Sequence, residues 1–419
     1  MTRSLRDDVE QIYRAALKPV GAGDAVSAQL GVTDAGELLV GDWRVDPGQS
    51  GVFAIAIGKA AVGMIDAAAQ QLGGLFESGI AVTKAEAPSS DGRVSVMYGS
   101  HPTPDERSLE AGNAVMRFAA DVPDGAVVLC LISGGGSALV ESLREGIDLG
   151  RLRELTTGLL RAGASIHELN AVRSRLSRIK AGGLLQALGH ARVFNLIVSD
   201  VQGDDLQTIA SGPTVPAVDG DAGAVMRTYS MAGTIPQNQP RGGLPMPPTI
   251  VVANLSTAIE AAAVEAAEIG YAPVIITRTL DIEAREAGKM LAAMVADGAA
   301  GLTTHGRGTC LLAGGETTVT VRGDGVGGRN TEAALSAAIR LSGAQGAALG
   351  FLATDGDDGA TGAAGGIVDG ATVDAANRSE ALRALAENDS FTFLRKRGAA
   401  LITGPSGTNV NDLVVGLIG

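Results

Sequence analysis

Aromatic residues are scarce in this chain: Phe, Trp and Tyr together make up 3% of 419 residues, with a single Trp. Small residues take their place, with 59 glycines and abundant alanine in a composition that is 45% hydrophobic. That density allows close packing of helices on sheets and many tight strand-to-helix turns. Only two cysteines occur, which excludes a disulfide framework. Cys130 and Cys310 both lie in apolar runs and are expected to be reduced core residues. No apolar run approaches the roughly 20 residues that span a bilayer. The opening Met1-Thr-Arg-Ser-Leu-Arg-Asp-Asp8 continues into a helical pattern without an apolar signal core. These absences imply a cytoplasmic protein. The net charge of −13 argues against nucleic acid or an anionic membrane as the main partner. A small anion is still open to it, because a local cluster of Arg and Lys decides that.

Several catalytic signatures are also missing. There is no G-x-x-x-x-G-K-[ST] loop, no G-x-S-x-G elbow, no Ser/His/Asp arrangement and no zinc-like Cys/His spacing.

What is present alternates. Strand candidates at 52–57, 79–83, 94–98, 126–132, 193–199, 249–253, 273–277, 309–313, 349–353 and 399–402 are separated by helical stretches such as 59–72, 105–121, 255–269 and 329–342. An amphipathic helix over 5–20 precedes them, with Leu5, Val9, Ile12 and Ala16 near helical spacing. The pattern predicts an α/β protein with parallel sheets and crossover helices. The one seam is 234–248, with five prolines and two glycines in Thr234-Ile-Pro-Gln-Asn-Gln-Pro-Arg-Gly-Gly-Leu-Pro-Met-Pro-Pro248. It divides the chain into domains of 1–238 and 249–419, with a cleft between them as the default substrate site.

The most informative stretch is Ala126-Val-Val-Leu-Cys-Leu-Ile-Ser-Gly-Gly-Gly-Ser-Ala-Leu139. A buried strand stops at Ser133, Gly134, Gly135 and Gly136 follow, and a helix-like pattern opens at Ser137. Backbone that can approach a ligand closely, feeding a helix start, favours an anion such as phosphate; a plain tight turn is the other reading. The loop is a poor dinucleotide fingerprint, since G-x-G-x-x-G needs a glycine where Leu139 stands.

Lys59, after Gly58 at the end of a strand, is one of only six lysines. A compact ammonium there suits a transferring phosphoryl group, and a solvated first-turn lysine fits the spacing equally well. The 167–180 stretch reads as a helix on which Arg173, Ser177 and Lys180 share one face. Arg173 and Lys180 then either hold a carboxylate or phosphate or form a solvated basic face. Asp200, Asp204 and Asp205 follow a strand, where carboxylates can hold Mg²⁺ beside phosphates, take a proton from a hydroxyl, or cap a loop. In the C-terminal half, Gly314-Gly-Glu316, Gly325–Asn330, Thr354–Gly359 and Thr403–Asp412 are polar, glycine-rich segments expected to converge on one rim of a parallel sheet. His101 stands in Ser100-His-Pro-Thr-Pro104, with structural and ligand-facing roles both open; His190 and His305 read as surface residues.

Taken in order, Ile57-Gly-Lys-Ala60, Ser100-His-Pro-Thr-Pro-Asp105, Leu131-Ile-Ser-Gly-Gly-Gly-Ser-Ala138, Leu169-Asn-Ala-Val-Arg173, Ser199-Asp-Val201, Ala210-Ser-Gly-Pro-Thr214, Gly314-Gly-Glu-Thr317, Gly327-Gly-Arg-Asn330 and Gly407-Thr-Asn-Val-Asn-Asp412 resemble the glycerate 2-kinase family, some members of which are labelled hydroxypyruvate reductases. The resemblance implies a larger Rossmann-like N-terminal domain, a smaller C-terminal α/β domain and an active site in the cleft between them. It implies Mg²⁺- and ATP-dependent phosphorylation of D-glycerate at its 2-hydroxyl, giving 2-phosphoglycerate and ADP, by a monomer or homodimer. Lys59 and Arg329 match the family's catalytic basic residues.

The full assignment makes Lys59, Arg329 and Asp200 catalytic. Ser133, Gly134, Gly135, Gly136, Ser137, Asn254 and Glu316 face the nucleotide. Arg173, Lys180, Asp355 and Asn409 face the substrate, and Asp200 and Asp204 hold the metal. The chain departs from the family in Ala360-Thr-Gly-Ala-Ala-Gly365, where Gly362 stands in place of the aspartate of a Pro-Thr-Asp-Ala-Ala-Gly stretch, and at Asp205, which stands in place of a proline. The rival readings are an NAD(P)-dependent hydroxypyruvate reductase and a non-catalytic sugar-phosphate or nucleotide sensor.

Overall fold

The structure is a computed structural model, and it describes residues 4–84, 87–216, 221–233, 235–236, 243–301, 308–359 and 361–419. His305, Ala360 and much of the 234–248 seam lie outside the described residues.

The chain forms two compact units. One comprises residues 22–252; the other joins residues 1–21 to 253–419. The N-terminal helix, Leu5–Leu17, is therefore part of the second unit, whereas the expected N-terminal domain began with it. The reason is its apolar stripe: Val9, Ile12, Tyr13 and Ala16 are fully buried, and the Tyr13 hydroxyl donates to the Ala353 carbonyl at 2.7 Å.

The 22–252 unit opens with a three-stranded antiparallel meander, β1 (Leu30–Val32), β2 (Leu38–Val40) and β3 (Trp43–Val45), which the alternation reading missed because each strand is only three residues long. Its main sheet contains β4 (Val52–Ile57), β5 (Phe76–Thr83), β6 (Val94–Tyr98), β7 (Val127–Ile132), β8 (Arg192–Val198) and β9 (Thr249–Ala253), in the spatial order β6-β5-β4-β7-β8-β9. Pairing is parallel from β6 through β8. Every residue of β7 is buried, as a parallel strand covered by helices on both faces requires. The strand order reverses between β4 and β7. Their carboxyl ends lie side by side, and these carry Gly58-Lys59 and the Ser133–Ser137 loop.

The second unit holds β10 (Ala272–Leu280), β11 (Thr309–Gly315), β12 (Ala347–Ala353), β13 (Gly365–Asp369), β14 (Ala400–Leu401) and β15 (Asp412–Ile418), in the order β10-β11-β15-β12-β13-β14. This sheet is mixed and not parallel, contrary to expectation: only β10 and β11 pair in parallel. The cause is β15, the last strand of the chain, which inserts antiparallel between β11 and β12. Its register sets Asp412 against Gly315 on one side and Ala353 on the other. The antiparallel insertion brings the start of β15 to the ends of β11 and β12, so the glycine-rich segments share one rim.

Candidate active site

In the 22–252 unit the first two glycine junctions are sewn together. Ser133 N–H donates to the Ile57 carbonyl at 2.8 Å, Lys59 N–H to the Gly134 carbonyl at 2.9 Å, and Ala60 N–H to Ser133 Oγ at 3.2 Å. Gly58 has φ +132° and no room for a side chain, since a β-carbon there would lie 2.1 Å from Ser133 Oγ. Gly135 has φ +82°, and its β-position is 3.3 Å from Lys59 Cγ and 3.2 Å from His101 Cδ2. The aliphatic stem of Lys59 therefore runs across the loop. The helix that follows is a single turn, Gly136–Leu139. Anion recognition here would rest on the loop's own N–H groups, because so short a helix adds little dipole.

Asp200, two residues past β8, brings its carboxylate onto Gly134, whose β-position would lie 1.8 Å from Asp200 Oδ2. Asp204 has φ +54° and follows Gly203 at +76°. Asp205 serves as a loop cap, its carboxylate accepting from Gln207 N–H at 3.1 Å and Thr208 Oγ1 at 2.6 Å.

The helix read over 167–180 is shorter in the structure. It spans Ile166–Leu176 and ends at Ser177, whose extended backbone and side chain, accepting from Ile179 and Lys180 N–H, turn the chain away. Ser177 and Lys180 therefore do not share a helix face with Arg173. Lys180 is 1% exposed and donates to Glu141 Oε2 at 2.7 Å and the Val140 carbonyl at 3.3 Å. Burial pushes its pKa down to about 8, against the opposing pull of Glu141. Sequence reasoning missed Glu141, since nothing local marks it as a partner 39 residues away.

Arg173 reaches the Ser133–Ser137 loop. Its Nη2 donates to the Ser137 carbonyl at 3.1 Å, while its Nε is buried without a hydrogen-bond partner. Burial lowers its pKa, with the charge of Glu141 opposing. An orphaned, desolvated guanidinium N–H costs about 1–3 kcal/mol and is best repaid by an anion. Beside it, Ser137 Oγ and Ser211 Oγ are 2.7 Å apart, and Ser211 also reaches Asn170 Oδ1 at 3.3 Å. His190, read as a surface residue, is half-buried with Nε2 2.9 Å from the Val122 carbonyl.

In the second unit, Arg329 begins the helix Arg329–Leu341. Its guanidinium is bidentate on Asp412, with Nε to Oδ2 at 2.5 Å and Nη2 to Oδ1 at 2.9 Å, and its Nη1 is 3.1 Å from Glu316 Oε1. Burial opposes this charge, but Asp412 and Glu316 outweigh it and raise the pKa, so the group is a fixed cation. Asp358 closes the same helix start, accepting from Asn330 N–H at 2.9 Å and Thr331 N–H at 2.7 Å. Burial lifts its carboxyl to about 6 despite those hydrogen bonds. Asp355 accepts from Asp357 N–H through its side chain and from Ser406 N–H through its carbonyl. Asn409 is buried next to Val410, whose N–H donates to Thr354 Oγ1 at 2.9 Å. The Thr354–Gly359 and Thr403–Asp412 segments are thus interlocked. Asn254, expected at the nucleotide, caps the helix Leu255–Glu268 by accepting from Thr257 N–H at 2.9 Å.

Comparison with known proteins agrees with the ordered motifs. Residues 8–240 match the family described as Domain of unknown function (DUF4147), and residues 309–412 match the MOFRL family. The chain is 41% identical to the D-glycerate 2-kinase of Thermotoga maritima, covering 88% of this chain and 90% of that protein. It is 38% identical to the glycerate 2-kinase of Pyrococcus horikoshii, covering 88% and 87%. A crystal structure of glycerate kinase from Thermotoga maritima superposes with a TM-score of 0.86 at 37% identity over 99% of both chains. Relatives from Agrobacterium vitis, 37% identical over 87% of this chain, carry a provisional hydroxypyruvate reductase name. The chain belongs to the glycerate 2-kinase family, with a DUF4147 domain followed by a MOFRL domain.

Proposed function

We infer that this protein is an ATP-dependent glycerate 2-kinase, transferring the γ-phosphoryl group to the 2-hydroxyl of D-glycerate and releasing 2-phosphoglycerate and ADP. One observation carries the reading: a lysine stem and a carboxylate meet on a glycine loop at the carboxyl ends of two adjacent parallel strands, where the strand order reverses. Open α/β sheets bind phosphorylated ligands at such switch points, and the order β6-β5-β4-β7-β8-β9 supports a Rossmann-like reading of this unit.

Phosphoryl transfer asks the protein for position and charge more than for covalent chemistry. On this reading the N–H groups of Gly134 to Ser137 cradle phosphate oxygens, and the Lys59 ammonium neutralises charge that develops on the transferring group. Arg329, fixed by Asp412 and Glu316, is the second catalytic cation on this reading. Arg173 holds the glycerate carboxylate through its unpartnered Nε. Lys180, locked on Glu141, acts from behind, while Asp355 and Asn409 border the substrate. Among the described residues no three His, Cys, Asp or Glu side chains gather as a metal site. Asp200, whose carboxylate lies on Gly134, would instead hold Mg²⁺ together with Asp204 four residues on, since Mg²⁺ takes one or two carboxylates and completes its shell from phosphates and water. Bound there, Mg²⁺ would offset the charge of the nucleotide's phosphates.

No helix among the described residues is long and apolar enough to cross a membrane, and cytoplasmic residence as a monomer or homodimer belongs to the same proposal. The test is ADP release across a panel of small hydroxy acids, run beside NAD(P)H oxidation with hydroxypyruvate. ADP release dependent on D-glycerate, without nicotinamide turnover, is the expected result. The reverse pattern would make the protein a reductase, and binding without turnover would make it a sensor.

A further inference from the structure

We propose that His101 is the proton acceptor of the reaction, taking the hydroxyl proton of the acceptor substrate at Nε2 from its place beside Gly135 and Lys59. The inference rests on the kinase reading above and assigns a residue which that reading leaves without a role.

The geometry starts at β6, an edge strand whose carboxyl end lies on the same rim as those of β4 and β7. Gly99, just beyond it, donates to the Thr83 carbonyl at 3.0 Å and lies hard against the one-turn helix after the anion loop, its β-position 2.1 Å from the Leu139 carbonyl oxygen. Ser100 N–H and Asp105 N–H both donate to the buried Ser108 Oγ, at 3.0 and 3.4 Å, so the backbone is pinned on either side of His101. The imidazole edge then faces the loop: Cδ2 and Nε2 are 3.2 and 3.5 Å from the β-position of Gly135, a point 3.3 Å from Lys59 Cγ. A side chain at 135 would fill this space.

Burial lowers the His101 pKa first, and the charges of Lys59 and Lys84 lower it further. Those two lysines face the ring from the loops after β4 and β5, and the Ser133–Ser137 loop adds no titratable group. The imidazole is therefore neutral at physiological pH, the form that accepts a proton. Asp200 sits on the neighbouring glycine, and a carboxylate engaged with Mg²⁺ is a weak base. The proton goes to the imidazole and the metal to the carboxylate. In the step itself the 2-hydroxyl oxygen forms its bond to the γ-phosphorus. The bond from that phosphorus to the bridging oxygen breaks, and its electron pair leaves with ADP. The hydroxyl proton ends on Nε2 and passes to solvent when product leaves.

The experiment measures kcat for ADP release with D-glycerate from pH 5 to 9 for the wild type, His101→Gln and His101→Ala, with and without added imidazole. A general base contributes about 10²–10⁴-fold, so both variants should lose that much kcat with little change in the KM for ATP. The acid limb of the wild-type profile should vanish in His101→Gln, and imidazole should restore part of the rate to His101→Ala. A His101→Gln enzyme within about threefold of wild-type kcat overturns the proposal, as does a slow His101→Ala enzyme that keeps the acid limb and ignores imidazole. If the wild type itself releases no ADP with D-glycerate, the kinase reading fails and the His101 assignment falls with it.

Discussion

The carboxylate of Asp200 occupies the space where a side chain at residue 134 would begin, with Oδ2 only 1.8 Å from the β-position of Gly134. Gly134 is not among the residues with positive φ, so alanine suits its backbone, and the three nearest atoms it would meet all belong to the Asp200 carboxyl group. Gly134→Ala should therefore fold normally by circular dichroism yet push the carboxylate off the loop. A displacement of about 1 Å can cost 10²-fold in rate, and a loss of about that size in kcat is expected. Unchanged turnover would remove Asp200 from the chemistry.

Lys59 and Arg329 are assigned to charge that develops during transfer, so their loss should lower kcat more than it raises KM. Lys59→Ala should cost about 10²–10³ in kcat, or roughly 3–4 kcal/mol. Arg329→Ala should cost as much and also lower the melting temperature, because it strands the buried Asp412. Arg329→Lys should recover only part of the rate, since a point charge cannot reproduce the fork that grips Asp412. Steady-state kinetics beside thermal melts separate the two effects.

The parallel sheet of the 22–252 unit was legible because buried parallel strands such as 127–132 are uninterrupted apolar runs ended by glycine. The second sheet was not. Asp412–Ile418 was not among the strand candidates, and its insertion between β11 and β12 depends on pairing with segments about 60 and 100 residues away, which periodicity cannot reveal. The site divides in the same way. Ser133–Ser137, Lys59 and Arg329 stand at strand or helix junctions and announce themselves. Glu141, Asp358 and the ring position of His101 are defined only by what the fold folds against them. Lys180 was misplaced because its helix ends four residues earlier, at a serine whose side chain captures the following N–H groups.

The buried pair of Glu141 and Lys180 sets a stability test. Both side chains are almost wholly withdrawn from solvent, and removing one partner of such a pair typically costs about 3–5 kcal/mol. Glu141→Leu and Lys180→Met should each fall in that range in chemical denaturation. The double variant should recover most of the loss, because neither member of the pair is left behind as a lone charge. Equal losses for single and double variants would show that packing, and not charge, holds this site.

The two thiols should be silent in the folded protein. Cys130 and Cys310 are unpaired and fully buried, and burial pushes each thiol up to about 12. Only the thiolate reacts, so a disulfide reagent at pH 8 should find no accessible group in the native state and two in denaturant. Fast reaction of either cysteine in the native protein would contradict its burial.

Mg²⁺ should be required, and through Asp200. ATP would bring its negative charge to a loop that already carries the Asp200 carboxylate, and Asp204 follows on the same segment. Arg329 is already paired with Asp412 and Glu316, so Lys59 and Arg329 do not offset four charges on the nucleotide, and the balance calls for a divalent ion. Excess EDTA should stop ADP release, and Mg²⁺ should restore it. Asp200→Asn removes the charge while keeping the shape that sits on Gly134, which separates metal binding from loop packing. Losing an outer-shell partner of a metal site typically costs about 10–100-fold in affinity, and losing a direct ligand should cost at least as much. The Mg²⁺ concentration for half-maximal rate at fixed ATP should rise accordingly in Asp200→Asn. A variant that loses kcat with an unchanged Mg²⁺ requirement would place Asp200 away from the metal, and full turnover in EDTA would remove the metal from the mechanism.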